Sequence, residues 1–253
     1  MLVVHRPASA LAAHIDLFWH DDGYRETHHR ERVPPGGGFC LIIDLEGGLG
    51  IVNGMRSKYI EFDTTSIQTV MGVTFRPGGA RAFFDASAEE FQDHAVPLDL
   101  VWGSDGKGLC DRLSEAICPS ARFQVLEGAL LRRLKPNVVL HPAACQGLDA
   151  FRSVPHIRNV LSVVKDAGLS RRRFSQLFRE HVGLTPKLYC RLRFGWVLER
   201  VASGKPVDWA DVAAAGGYSD QAHLVHEFRD FSGLSPSAFL AAERPFCAHV
   251  RVS

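Results

Sequence analysis

Residues 208–240 read DWADVAAAGGYSDQAHLVHEFRDFSGLSPSAFL, and this stretch decides the fold of the C-terminal half. Asp208 is a helix cap ahead of a short apolar run that ends at Gly216, and Ser219 is predicted to cap a second helix. Three apolar residues recur at helical spacing and are predicted to face inward: Leu224, Phe228 and Phe231. The stretch therefore predicts a helix, a tight turn and a second helix.

The same unit occurs about 50 residues earlier in the chain. One shift aligns Phe174 with Leu224, Phe178 with Phe228, Arg179 with Arg229, Gly183 with Gly233, Leu184 with Leu234, Thr185 with Ser235 and Pro186 with Pro236. So many matches at a single shift indicate an internal repeat. Two helix-turn-helix units in tandem are therefore predicted.

The repeat resembles the AraC/XylS-type transcriptional regulators. Over about the last 110 residues, the matching pieces are 168–174, 183–186, 217–221, 228–229 and 233–236. The order and spacing of these fragments carry the resemblance, since each alone is a weak motif. It implies a DNA-binding domain of two helix-turn-helix units joined by one long helix, which amphipathic spacing places at 185–202.

The second helix of each unit is predicted to read bases in the major groove, with recognition helices at 170–182 and 219–231. The predicted DNA-binding residues are Arg171, Arg172, Arg173, Ser175, Gln176, Arg179, Gln221, Ala222, Val225, His226 and Arg229. Arg172 suits guanine, Gln176 suits adenine, and Arg171 or Arg173 can reach phosphates. The alternative is a solvated basic face.

The spacing of the two recognition helices fits one molecule on two grooves. The linking helix spans about 25 Å at ~1.5 Å per residue, of the order of the ~34 Å between successive major grooves on one face of DNA. Fewer polar donors in the second helix predict weaker discrimination there. Glu227 and Asp220 would repel phosphate if they faced it.

The first half of the chain predicts a separate β-rich domain, so the fold class is α+β with domains at 1–136 and 137–253. Strands are expected in 39–45 and 67–75, and short helices at 80–84 and 87–94. This half resembles the cupin-like domain that often precedes AraC-type DNA-binding domains, which implies effector sensing or dimerisation.

A helical pair at 108–117 and 121–134 follows the predicted strands. Its apolar residues fall on two faces, with Leu109, Leu113 and Ile117 on the first helix. The pair forms either a dimer contact or a cover for the sheet.

Charge separates the two halves. The net charge is +1, but residues from 137 onward carry 15 Lys+Arg against 10 Asp+Glu, and the first part carries 14 against 18. A basic second half is the direction expected for a domain that meets phosphate. The six cysteines are scattered, so reduced thiols and a cytoplasmic location are expected.

Three functions remain open at this stage. The first is an effector-responsive regulator whose partner is double-stranded DNA, with RNA polymerase, a small-molecule effector and a second copy of the chain as further partners. The second is a metal-dependent cupin enzyme fused to a DNA-binding domain, for which the candidate ligands are His14, His20, His28, His29 and His94. The third is a DNA-binding protein whose first domain serves only assembly. No catalytic residue, metal site or cofactor is predicted, because the histidines lack a His-x-His spacing.

Overall fold

A computed structural model describes residues 1–22, 30–35, 38–63, 69–152, 160–192, 208–216, 218–242 and 250–251. Strands fill the first hundred of these residues and helices dominate the rest. The predicted α+β class, a β-rich domain followed by a helical domain, is confirmed. None of the described helices is long and apolar enough to cross a membrane.

Six antiparallel strands form the main sheet of the N-terminal domain. In sheet order they are β1 (Leu2–His5), β2 (Ile15–Asp21), β7 (Val70–Phe75), β4 (Cys40–Asp44), β5 (Leu49–Asn53) and β8 (Ala95–Pro97). A smaller sheet contains β6 (Ile60–Asp63), β3 (Arg30–Val33) and β9 (Val250–Arg251).

Register places apolar side chains in rows across the main sheet. One buried row runs Phe18, Val73, Leu41 and Val52. On the other face, the next row includes Trp19 and Gly72, and a Cβ built on Gly72 would lie 2.6 Å from Cζ2 of Trp19. The indole ring therefore requires glycine at position 72.

Aromatic rings fill one end of the core, where two short 3-10 helices, Gly79–Ala82 and Ala88–Phe91, follow β7. Ring centroids 5.3–5.9 Å apart join Phe39, Phe75, Phe83, Phe84, Phe91 and Trp102. Such pairs add to the stabilisation from burial. A capping box opens the second of these helices, and in it the Glu90 carboxylate accepts the N–H of Ser87 at 2.8 Å.

Three helices cover the inner face of the main sheet: α1 (Leu98–Trp102), α2 (Ser104–Glu115) and α3 (Pro119–Arg133). Leu109 and Leu113 share the core with the sheet, as the helical spacing predicts. Ile117 does not. The prediction that it faces inward is wrong, because α2 ends at Glu115 and leaves Ile117 95% exposed in the connection to α3.

Seven helices form the described part of the C-terminal domain. They are α4 (Pro142–Arg152), α5 (Val160–Asp166), α6 (Arg171–Val182), α7 (Pro186–Arg191), α8 (Trp209–Gly216), α9 (Gln221–Ser232) and α10 (Pro236–Ala241). The predicted linking helix begins as α7, and residues 193–207, which hold its remainder, lie outside the described residues. So do residues 153–159 and Gly217.

Each helix-turn-helix unit has its own apolar core. The first includes Phe151, Val163, Phe174 and Phe178, and the second includes Val212, Leu224, Phe228 and Phe239. Tyr189 of α7 packs against both clusters. The two units are therefore joined by packing as well as by the chain.

Among the described strands, β9 lies outside the half of the chain in which strands were predicted. Residues Val250 and Arg251, beyond the second unit, pair with Arg32 and Glu31 of β3. The C-terminal part of the chain thus returns to the N-terminal domain, a contact that a division at residue 136 does not anticipate.

Candidate DNA-binding surface

The first recognition helix, α6, is defined by local signals at both ends. Ser170 accepts the N–H of Arg173 at 3.2 Å, and Gly183 ends the helix at a φ of 93°. The positive φ suits glycine, because other residues rarely adopt it. Four buried residues face the core: Phe174, Leu177, Phe178 and Val182.

The opposite face of α6 carries the predicted reading residues. Arg171, Arg172, Arg173 and Gln176 are exposed, while Ser175 and Arg179 are half-buried. Gln176 lies in a surface chain of hydrogen bonds, accepting from Arg173 Nη1 at 3.2 Å and donating to Glu180 Oε1 at 2.9 Å. A base that pairs with the Gln176 amide would replace these exposed bonds.

Three arginines occupy the first turn of α6, where the helix dipole disfavours positive charge. The N-terminal end of a helix carries a partial positive charge, and acidic residues are the stabilising choice there. The first turn of α6 contains no acidic residue. The arrangement is therefore unfavourable for the isolated helix and suited to a negatively charged partner such as phosphate.

The second recognition helix, α9, has a different N-terminus. Asp220, rather than the predicted Ser219, is the cap, and its carboxylate accepts the N–H of His223 at 2.7 Å. That hydrogen bond lowers the pKa of Asp220. The prediction that Ser219 caps is wrong because the helix starts one residue later, and Ser219 instead bonds Asp220 and His223.

The outward face of α9 carries the other predicted residues. Gln221, Ala222, His226 and Arg229 are exposed, and Val225 is half-buried. The acidic Asp220 is exposed at the same end. The helix presents less positive charge than α6.

Glu227 of α9 turns away from this face. Its carboxylate accepts two hydrogen bonds from Arg191, at 2.8 and 2.7 Å, with 11% of its side chain exposed. These bonds raise the pKa of Arg191, which also contacts Asp230 at 3.2 Å. The Arg191 guanidinium balances the charge of the Glu227 carboxylate. This ion pair joins α7, where the predicted linking helix begins, to the second recognition helix. Sequence reasoning missed this pair, which no local spacing indicates.

Arg179 of α6 contacts the N-terminal domain. Its guanidinium donates to the carboxylate of Glu89, within the second 3-10 helix. Arg81 reaches the carbonyl of Glu180 at 3.4 Å. The base-reading role predicted for Arg179 therefore competes with an ion pair between the domains. Sequence reasoning identified neither Glu89 nor Arg81 as a contact of the C-terminal domain. The only local signal near Glu89 is the capping box, which marks the start of a helix.

The described histidines of the first domain serve separate contacts. The His14 ring meets the face of Phe83 edge-on, His20 Nε2 lies 2.7 Å from Arg122 Nη1, and His94 Nδ1 lies 2.6 Å from the Gln92 carbonyl. His28 and His29 lie outside the described residues. Among the described residues, no three His, Cys, Asp or Glu side chains are placed to hold a metal ion.

Two protein families match the chain. Residues 163–242 match a helix-turn-helix domain, and residues 3–97 match a domain of unknown function, DUF6597. The first match spans both helix-turn-helix units, and the second spans the strands of the N-terminal domain. No curated protein matches.

Two solved structures are similar to the chain at low identity. The DNA-binding domain of AdpA, in complex with a target DNA, is 25% identical and covers 40% of this chain and 90% of its own, with a TM-score of 0.36. ToxT from Vibrio cholerae is 10% identical over 95% of this chain and 97% of its own, with a TM-score of 0.45. The helix-turn-helix match agrees with the tandem units predicted from the repeat: residues 163–242 form a helix-turn-helix domain, and a β-rich domain precedes it.

Proposed function

We propose that α6 and α9 read two successive major grooves of one DNA site. The observation that carries this proposal is the duplication itself. Two 12-residue helices, each capped at its start and ended by a left-handed glycine, bury one apolar face and expose one polar face. A helix with this division can enter a major groove while the rest of its unit stays folded.

The first unit supplies most of the base discrimination in this proposal. Arg172 and Gln176 read guanine and adenine, while Arg171 and Arg173 hold phosphates at the start of α6. The second unit contributes apolar contact through Ala222 and Val225 and polar contact through Gln221, His226 and Arg229. Exposed Asp220 limits its attraction for phosphate.

The N-terminal domain has a regulatory role in the proposal. In this proposal the chain is an AraC-type transcription regulator: its first domain senses a small-molecule effector or pairs two copies of the chain, and the protein then acts on RNA polymerase. We assign the regulatory role to residues 1–136 and the DNA-binding role to residues 137–253. Among the described candidate ligands, His14, His20 and His94 make separate contacts, and we assign no catalytic residue.

Arg172→Ala and Gln176→Ala test the reading helix. The operator is first selected from a random DNA library with the wild-type protein, and binding is measured by fluorescence anisotropy. Each substitution is expected to weaken operator binding by ~1–3 kcal/mol and to relax the preference at one base pair. Arg132→Ala, which removes an exposed arginine on α3 of the first domain, is the matched control and leaves binding unchanged.

Two outcomes would contradict the proposal. Equal losses on operator and random DNA would show that these side chains hold phosphates and read no base. A binding constant that does not fall with rising salt would contradict phosphate contact by the arginines of α6.

A further inference from the structure

Both recognition helices dock on the N-terminal domain at the same position of the repeat. α6 ends at Gly183, with a φ of 93°, and α9 ends at Gly233, with a φ of 70°. These two glycines align when the repeats are superposed by sequence. Each glycine lies against residues of the N-terminal domain. The two repeats therefore contact that domain at the same aligned position.

Neither docking point has room for a side chain. A Cβ built on Gly183 would lie 2.9 Å from the carbonyl oxygen of Ala88 and 3.5 Å from Cγ of Met55. One built on Gly233 would lie 2.7 Å from Arg32 Nη1 and 2.8 Å from Cε1 of Tyr59. Glycine at both positions thus satisfies the helix end and the close approach of the other domain.

A single segment, residues 55–59, reaches both glycines. Met55 is buried in the cluster that contains Leu184 of the first unit and Phe228 of the second. At the other end of the segment, the N–H of Tyr59 donates to the carbonyl oxygen of Phe231 at 3.1 Å. The guanidinium of Arg32 lies 4.4 Å above the Tyr59 ring, and both side chains lie against Gly233.

Asp93 holds the middle of this segment. Its carboxylate accepts the backbone N–H of Ser57 at 2.6 Å and the Ser57 hydroxyl at 2.8 Å, and its carbonyl accepts from Arg56 Nη1 at 2.7 Å. Asp93 has a φ of 61°, and among the described residues it is the one non-glycine residue with positive φ. This backbone strain is typical of a position that the surrounding structure fixes.

We propose that residues 55–59, held by Asp93, are a positioning element that sets the separation and rotation of the two recognition helices on DNA. The inference rests on the proposed reading of two grooves. Tyr189 packs against the cores of both units, and docking both helix ends on one segment of the N-terminal domain adds a second constraint on their separation. With both constraints in place, we expect the protein to select one half-site spacing.

The substitution Asp93→Gly tests this positioning element without adding backbone strain. Glycine accepts a φ of 61° without strain, and the substitution removes both bonds to Ser57. The wild-type protein is expected to bind its selected operator much better than the same operator with one or two base pairs inserted between the half-sites. The spacing ratio is the affinity for the selected operator divided by the affinity for the lengthened one. In Asp93→Gly the spacing ratio is expected to fall by about fivefold or more, a typical magnitude for coupling between sites. Binding to a duplex with only the first half-site stays at the wild-type level.

Asp44→Ala is the matched control. The Asp44 carboxylate also accepts two backbone N–H groups, from Glu46 and Gly47, in a turn within the N-terminal domain. Its spacing ratio is expected to equal that of the wild type. Tyr59→Ala, which removes the ring beside Gly233, gives a second test, and thermal melting checks that each variant is folded.

The outcomes separate this inference from the proposed function. A folded Asp93→Gly and a folded Tyr59→Ala that both keep the wild-type spacing ratio would overturn the positioning role while leaving two-groove reading intact. A wild-type protein with no preferred half-site spacing would overturn two-groove reading and the positioning role together.

Discussion

Equivalent residues of the two repeats have different surroundings. Arg179 and Arg229 align in sequence, yet Arg179 pairs with Glu89 of the N-terminal domain and Arg229 is exposed. In the ion pair, 41% of the Arg179 side chain and 34% of the Glu89 side chain are exposed. Such half-exposed pairs contribute modest free energy. DNA can therefore displace Glu89, at a small cost.

Glu89→Gln is expected to strengthen DNA binding. Removing the negative charge frees Arg179 for phosphate or a base, and the gain should match the ~0.2–1 kcal/mol of a partly exposed pair, or about 1.4- to fivefold in affinity. Fluorescence anisotropy at low salt measures it, since salt screens the charge. In the Arg179→Ala background the same substitution should change nothing, and an equal gain there would show that Glu89 acts by general repulsion of DNA.

Local chemistry predicts some of these residues from the sequence, and long-range pairing hides others. The cap at Ser170 and the exposure of Arg172 follow from signals within one helix. Glu89 with Arg179 and Arg191 with Glu227 lie 90 and 36 residues apart. No period of a helix or strand connects such positions, so only the fold brings them together.

At the level of helices and strands, the two recognition helices end in the same way but differ in their exposed faces. Both recognition helices are 12 residues long and end at a left-handed glycine. Their first turns differ, with three arginines in α6 and an aspartate cap on α9. Helix ends specify the fold and the exposed face specifies the partner, so one element is used twice with unequal affinity for phosphate.

Arg191→Ala is expected to destabilise the second unit. It leaves the Glu227 carboxylate, 11% exposed, without its two charged hydrogen bonds, which costs roughly 1–3 kcal/mol. Urea denaturation measures the loss. Arg229→Ala, on the exposed side of α9, is the control and should stay within about 0.5 kcal/mol of the wild type. Equal effects of the two substitutions would contradict a structural role for the Arg191–Glu227 pair.

Elements with strong periodicity were predicted well, and their edges less so. Both helices of the pair on the sheet follow the apolar spacing, but Ile117 lies beyond the end of α2 in the connection. The start of α9 moved from Ser219 to Asp220 because two adjacent capping residues compete and sequence does not rank them. β9, with two residues, is too short for any alternation to mark it.

Across the whole molecule, the two domains contact each other where half-buried His181 of α6 lies near Arg81 of the N-terminal domain. Burial lowers the pKa of His181, and nearby Arg81 and His141 lower it further, against a smaller opposite effect of Glu180. Burial also lowers the pKa of His14 and of His20 in the first domain. In the folded protein the pKa of each of the three therefore lies below the ordinary histidine value.

Stability is expected to fall as the pH decreases from about 7.5 to 5.5. The ordinary histidine pKa is 6.5, and below it the unfolded chain binds protons that the folded protein binds only at lower pH, so acid favours unfolding. Urea denaturation at several pH values measures the slope, which His181→Asn should reduce. A stability that rises on acidification over this range would contradict the lowered pKa of these histidines.

The pairing of β9 with β3 also constrains how the protein is made. The partner of β3 is translated some 220 residues after it, which at ~5–20 residues per second means tens of seconds on the ribosome. During that time one edge of β3 lacks its neighbour, and an open strand edge invites pairing with other chains. The open edge of β3 is therefore expected to favour self-association until residues 250–251 have been synthesised.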